Sequence, residues 1–247
     1  MRINGYGWVH LTGIAALVAT FAVPPAANFA EKDLARIIVV HLPCAFATLV
    51  FLGFSVMAAF RVIRTQEPDA DFRHGAALQI TTLLTAFTLA TGILFSKVQW
   101  GTWWQWDPRQ TSFLLVMIMM LAGLGFRAAF TDASIRAQRS AAYTLATAFP
   151  NLFLILIYPR LPYVLKNSFH PTTTIKDGGF APSYWLAILS TFTILVLAGV
   201  QLYKSRIQTQ RLNQMVEEAH AELDAHRRGI AAGPLARPIP VSEEIHG

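Results

Sequence analysis

The sequence is poor in charge and in cysteine. Of its 247 residues only 14% are Asp, Glu, Lys or Arg, while 54% are hydrophobic. That balance excludes a water-soluble globular domain and points to a chain built for a lipid bilayer. Its one cysteine, Cys44, stands in an apolar run, so an internal disulfide is excluded. There is no C-x-x-C-H spacing, so the chain is not itself a c-type cytochrome. Acidic residues number 14 against 20 basic ones. A basic excess can mark a nucleic-acid binder. Here the charges sit in short connections between apolar runs, so a charge-biased membrane topology explains them and no nucleic-acid partner is expected. Nor does a small-residue cleavage site follow Arg2, so no removable signal peptide is expected. Repeats at solenoid spacing are absent.

What the sequence does have is long apolar runs. A helix needs roughly 20 apolar residues to cross about 30 Å of hydrocarbon. Six runs meet or approach that length: 8–23, 37–60, 76–95, 108–130, 141–157 and 183–203. The expected fold is all-α, a polytopic membrane protein of six transmembrane helices occupying residues 1–207. Pro24-Pro25 end the first span, and Pro150 should kink the fifth where it removes a backbone hydrogen bond. The remainder, 208–247, reads as a tail. It is helical to about Arg228, with Leu212, Val216, Ala219 and Leu223 on one face, and disordered from Gly233 onward.

Lys and Arg set the orientation. Thirteen of the 20 fall in the N-terminus, the connections between spans two and three and between four and five, and the tail. These should face the cytoplasm, which puts both termini inside. The other seven, Lys32, Arg36, Lys97, Arg109, Arg160, Lys166 and Lys176, fall outside. An outer face that basic suits either anionic lipid headgroups or a ligand that carries carboxylates.

The outer connection between spans three and four is the most unusual stretch. Four of the six tryptophans, Trp100, Trp103, Trp104 and Trp106, lie within seven residues. Such a cluster is either an interfacial belt that anchors the spans or a platform for a flat ligand. Asp107-Pro108-Arg109-Gln110 reads as a helix start, with Asp as N-cap, Pro at the first position and Gln able to bond back to the cap. Asp107 is then either a cap alone or also directed at a ligand. If the residues before it are helical too, Trp100, Trp103, Trp104 and Asp107 share one face; Gly101 weakens that helix.

Of seven histidines, only two reach the outer side in this topology. His41 lies about four residues into the second span, roughly 6 Å deep at 1.5 Å per residue. It is either a hydrogen-bonded structural imidazole or a functional group held in the membrane. Pro43 should distort the helix beside it. His170, in the connection before the last span, is either a solvated loop residue or a ligand.

The run Trp100–Asp107, WGTWWQWD, closely resembles the tryptophan-rich "WWD" segment of the haem-handling proteins of cytochrome c biogenesis. In the Trp spacing, Gly101 and the terminal Asp107 it is similar to the cytochrome c maturation protein C (CcmC) family, the small six-span branch, over about residues 37–173. The motif segment is 97–112. The resemblance implies a protein that is not an enzyme but carries haem b non-covalently on the outer face of a bacterial inner membrane. It implies transfer to a membrane-anchored haem chaperone of the CcmE type, with help from ABC transporter subunits like CcmA and CcmB and a small single-span protein like CcmD.

It also implies that His41 and His170 are the axial ligands to the iron, flanking a surface made by Trp100, Gly101, Trp103, Trp104, Trp106, Asp107 and Arg109. The chemistry fits: a porphyrin wants an aromatic face, iron accepts imidazole nitrogen, and propionates want Arg or Lys such as Arg109 with Lys97 or Arg36. Two features depart from the pattern. Asp-Pro after the tryptophans is also usual in the larger haem-attaching relatives CcmF and CcsA, and the polar tail is longer than expected. A synthetase-like role is therefore the first alternative. A channel with tryptophan anchors is the second, and it lacks intramembrane charges or paired broken helices to support it.

The topology generates a direct expectation. In a variant lacking Cys44, a cysteine at Gln105 should react with a membrane-impermeant thiol reagent in intact cells. Labelling only after lysis would reverse the orientation.

Overall fold

The computed structural model describes residues 5–26, 29–170 and 180–231, which form helices joined by turns and loops, with no strand among them. Helix α1 is Gly5–Ala22. A 3-10 turn, Leu34–Ile37, leads into α2, Ile38–Thr65. Then come α3, Pro68–Trp100, and α4, Pro108–Ala128. Helix α5, Ala133–Leu152, is extended by a π turn, Phe153–Ile157, and a 3-10 turn, Tyr158–Arg160. The short α6, Pro162–Asn167, precedes α7, Pro182–Ala231.

Five helical segments are long and apolar enough to cross a membrane: Leu34–Thr65, Pro68–Trp100, Pro108–Ala128, Ala133–Arg160 and Pro182–Gly229. A sixth, Val9–Ala22, is apolar but shorter. The six apolar runs therefore all appear as helices, with the first below full spanning length. The helices outrun the apolar stretches at their polar ends. Helix α3 begins at Pro68 rather than at 76, and α5 begins at Ala133 because Asp132 caps it, accepting from the Ile135 N–H at 2.9 Å. Apolar counting is blind to the turns of a helix that project beyond hydrocarbon. Residues through Gln208 form one compact unit and those from Thr209 a second. In the second, Leu212, Met215, Val216 and Leu223 are exposed. The stretch from Gly233, expected to be disordered, lies outside the described residues.

Helices α2 and α3 pack along most of their length and form the spine of the first unit. Helix α3 carries Thr81, Thr82, Thr85 and Thr88, all buried, each donating its hydroxyl to the carbonyl four residues earlier. Polar side chains that satisfy themselves this way cost a span little and let the neighbouring helix come close. At the end bearing the tryptophans, an aromatic cluster joins Phe29, Phe95, Phe180 and Tyr184. Phe29 meets Phe95 edge-on at 5.9 Å and stacks on Phe180 at 5.7 Å. The Tyr184 hydroxyl donates to the Pro24 carbonyl at 2.7 Å, which fastens α7 to the chain leaving α1.

At the opposite end, charge is buried. Arg127 of α4 makes a two-pronged pair with Asp71 of α3, Nη1 to Oδ1 at 2.5 Å and Nη2 to Oδ2 at 2.8 Å. Arg136 of α5 adds a contact at 3.6 Å. The buried His74 bridges the same helices through the Thr144 hydroxyl at 2.9 Å. Gly75 makes room for the guanidinium, since a Cβ there would come within 2.9 Å of it. Asp71→Ala should therefore destabilise the fold by about 3–5 kcal/mol, because it strands a buried charge. Arg136→Ala, removing the more exposed partner, should cost under about 1 kcal/mol. Thermal unfolding of the two variants in detergent checks the difference.

Candidate functional site

The tryptophan segment is not helical. Helix α3 stops at Trp100, and Gly101 takes a left-handed φ of 80° while its N–H bonds to the Lys97 carbonyl at 3.1 Å. Only glycine adopts that cap without strain. The shared helical face of Trp100, Trp103, Trp104 and Asp107, conditional on helix through this stretch, is thus corrected: the glycine ends the helix first. A loop follows, with Trp106 at the unusual φ of 56°. Side chains staple it. Ser96 Oγ donates to the Thr102 carbonyl at 2.9 Å, and Gln110 Nε2 donates to the Trp103 carbonyl at 3.2 Å while its Oε1 accepts from the Gln105 N–H at 3.3 Å. Gln110 therefore holds the loop, where the sequence suggested a bond back to the cap.

Asp107 caps α4 as its position predicts, with Oδ1 accepting from the N–H groups of Arg109 at 2.8 Å and Gln110 at 3.4 Å. The other oxygen has a second task. Oδ2 accepts from Ser168 Oγ at 2.8 Å and from the Phe169 N–H at 2.7 Å. Ser168 Oγ in turn accepts from the His170 N–H at 3.2 Å. The carboxylate is only 8% exposed. One side chain thus joins the tryptophan loop, the start of α4 and the segment that carries His170. Trp100 completes the join, packed between Phe95 at 5.5 Å and Phe169 at 6.1 Å.

His41 comes from the other side, on α2. Its Nδ1 lies 3.1 Å from the Thr88 carbonyl and 3.0 Å from Thr91 Oγ1, both on α3. A carbonyl can only accept, so Nδ1 carries the proton and Nε2 keeps its lone pair. Gly92 leaves space for the ring: a Cβ there would sit 3.1 Å from the His41 Cε1.

Between these groups lies a cavity of about 540 Å³. His41, His170, Trp100, Asp107, Arg109 and Arg160 are all in its wall. The rest of the wall is largely apolar and includes Leu42, Phe46 and Leu49 of α2, Phe113 of α4 and Ile155 of the π turn. Arg109 is anchored by Nη2 donating to the Pro159 carbonyl at 2.8 Å. Burial, reinforced by the positive Arg109 and by His41, holds the His170 imidazole down to about 3, with Asp107 acting in the opposite sense. It is neutral at physiological pH, a lone-pair donor like His41.

Not every expected group is in that wall. Gly101 serves as the helix stop. Trp103 and Trp106 are 57% and 76% exposed, and neither they nor Trp104 line the cavity. Lys97 instead donates to the Gly101 carbonyl at 2.8 Å and sits 5.8 Å above the Trp103 ring. Arg36 bonds the Val23 carbonyl at 2.9 Å and pairs with Asp33. The second cationic group in the wall is Arg160, which the sequence reading counted only as an outer basic residue.

A family model described as CcmC, Heme exporter protein C, matches residues 5–224. The chain is 28% identical over 223 residues to the Heme exporter protein C of Bradyrhizobium diazoefficiens, covering 88% of this chain and 82% of that one. It is 31% identical over 179 residues to the protein of the same description from Haemophilus influenzae, covering 72% and 70%. A Marchantia polymorpha relative described as a putative cytochrome c biosynthesis ccmC-like mitochondrial protein is 32% identical over 123 residues, covering 50% and 53%.

The chain belongs to the Heme exporter protein C family. The resemblance carried by WGTWWQWD therefore extends over nearly the whole sequence, and the family is one of cytochrome c biogenesis.

What sequence reasoning missed in this family member are the supports: Thr88 and Thr91 behind His41, Gly92 beside it, and Ser168 under His170. Only Ser168 left a signal, as a small hydroxyl two residues before a histidine. The Asp107 arrangement predicts a local effect. Losing one charge-assisted hydrogen bond costs about 1.5–3 kcal/mol, so in Asp107→Ala the Phe169 amide should exchange hydrogen on the order of ten- to a hundredfold faster. Amides in the middle of α3 should keep their protection. Hydrogen-exchange mass spectrometry reads both, and an unchanged 168–170 segment would show that Asp107 is a cap and nothing more.

Proposed function

We propose that this family member binds haem b non-covalently in the cavity between His41 and His170 and hands it to a membrane-anchored chaperone of the CcmE type. The observation that carries the reading is the pairing itself: two neutral imidazoles, one on a helix and one on a loop, in the wall of one cavity that also holds Trp100, Arg109 and Arg160. Haem iron supplies the chemistry, which is exchange of axial ligands.

His41 is the fixed ligand. Its protonated Nδ1 is committed to the Thr88 carbonyl, the arrangement that fixes the tautomer and orientation of metal-bound imidazoles. His170 is the releasable one, held through the Asp107 carboxylate. Arg109 and Arg160 offer guanidinium donors to the propionates. Among the described residues no cysteine lies in the cavity wall, in keeping with non-covalent retention. Trp103, Trp104 and Trp106, together with the turn at Gly101, form the outward surface over which the haem passes to the chaperone. Subunits like CcmA, CcmB and CcmD assist that transfer, as the resemblance implies. The protein acts in a bacterial inner membrane with the tryptophan loop on the periplasmic side and both termini in the cytoplasm, the orientation supported by the bias in basic residues.

His41→Ala and His170→Ala should each lose the low-spin spectrum while retaining part of the haem, and added imidazole should restore the spectrum in part. If both variants keep the wild-type spectrum, the ligand assignment is wrong. The pH dependence follows from His170. Its folded-state value of about 3 lies below the ordinary 6.5, so between these values the unfolded chain takes up the proton first and stability falls as pH falls. The neutral imidazole persists in the folded protein across that window. The low-spin spectrum should therefore hold from pH 8 to about pH 5, and an optical titration with a midpoint near 6.5 would count against a buried ligand.

A further inference from the structure

The cavity has a mouth, and its exposed wall residues show which way it faces. Most of the wall is buried or half-buried; the exposed members are Phe46, Leu156, Leu165 and Arg160. Phe46 is 44% exposed, Leu156 37% and Leu165 39%. Phe46 lies eight residues into α2, about 12 Å along its axis. Phe46 and Leu156 both belong to segments long and apolar enough to cross a membrane, Leu34–Thr65 and Ala133–Arg160. Their exposed faces therefore meet hydrocarbon. The gap between them has a cause in the backbone. Helix α5 packs on α2, whereas the π turn that extends it, Phe153–Ile157, packs on α4. The wider turn leads the chain away from α2 at the level of the cavity.

We infer that the cavity opens sideways into the lipid, between Phe46 of α2 and Leu156 of the π turn, and that this is where its ligand enters. The inference rests on the haem reading above and gives that ligand a route. A flat macrocycle with carboxylates on one edge dissolves in a leaflet with that edge at the headgroups. Arg160 stands at the mouth and Arg109 behind it, so the carboxylates stay at one level as the ring slides in edge-on. Neither a flip of the ring nor an aqueous passage is needed. The exposed Trp103 and Trp106, outside the wall, are left to the exit step.

The test uses Phe46→Cys and Leu156→Cys in a Cys44→Ala background, reconstituted in lipid and labelled after folding with a nitroxide thiosulfonate. The label should be relaxed by oxygen and shielded from a water-soluble nickel chelate. It should also obstruct the mouth. Uptake of hemin from hemin-containing phosphatidylcholine vesicles should slow about tenfold or more, a small added barrier in energetic terms, while the final spectrum matches the unlabelled protein. Label at Tyr163→Cys, 74% exposed and outside the wall, should leave uptake unchanged. Labels relaxed mainly by the nickel chelate would place the mouth in water and overturn the route. So would unchanged uptake in both labelled mouth variants of a protein that binds hemin. An unlabelled protein that binds no hemin would instead overturn the haem reading, and the route with it.

Discussion

The carboxylate of Asp107 is the contact on which the site depends. One oxygen starts α4 and the other holds the chain at Ser168 and Phe169. Without the first, the loop would lose the cap at its junction with α4. Without the second, the Ser168–Phe169 segment would lose its hydrogen bonds to the loop. A carboxylate is suited to both because it accepts several hydrogen bonds at once, and charge-assisted bonds to N–H and O–H are stronger than neutral ones. Its burial strengthens them further by excluding water.

The opposite wall is built on another principle. His41 sits on α2 and is held by α3, the most closely packed helix pair in the unit. Its partners are a backbone carbonyl and a threonine whose own hydroxyl is already bonded to the Phe87 carbonyl at 2.7 Å. Gly92 lets the ring lie against the α3 backbone. Moving His41 would mean moving a span. At the far end the Asp71–Arg127 pair ties α3 to α4, so α3 is held at one end by ions and at the other by aromatic packing.

How much of this was legible in the sequence differs by feature, for physical reasons. The six apolar runs were, because hydrocarbon thickness dictates their length. The helix start at Asp107-Pro108 was, because caps are local. The Gly101 stop was half-visible: glycine weakens a helix anywhere, but whether it terminates one depends on the loop beyond. The second role of Asp107 was not legible, since its partners are about sixty residues away and nothing near Asp107 in the sequence points to them. Arg160 was hidden likewise: its place in the wall depends on the π turn, a backbone irregularity that no periodicity announces. Arg36 and Lys97, equally basic, find carbonyl partners of their own instead.

The contrast between the two histidines has an energetic consequence if, as proposed, the protein binds haem and then releases it. Moving the segment that carries His170 would break the bonds from Ser168 and Phe169 to Asp107 Oδ2, each worth about 1.5–3 kcal/mol, and the contact of Phe169 on Trp100. Barriers of that order are crossed on the timescale of loop motion. Freeing His41 would instead disturb a packed helix pair inside the bilayer, where a backbone carbonyl that loses its partner finds no water to replace it. On the proposed function that asymmetry would give release a direction: the loop ligand would leave first, on the side where Trp103 and Trp106 are exposed, and the helix ligand would hold the ring until a competing ligand arrived.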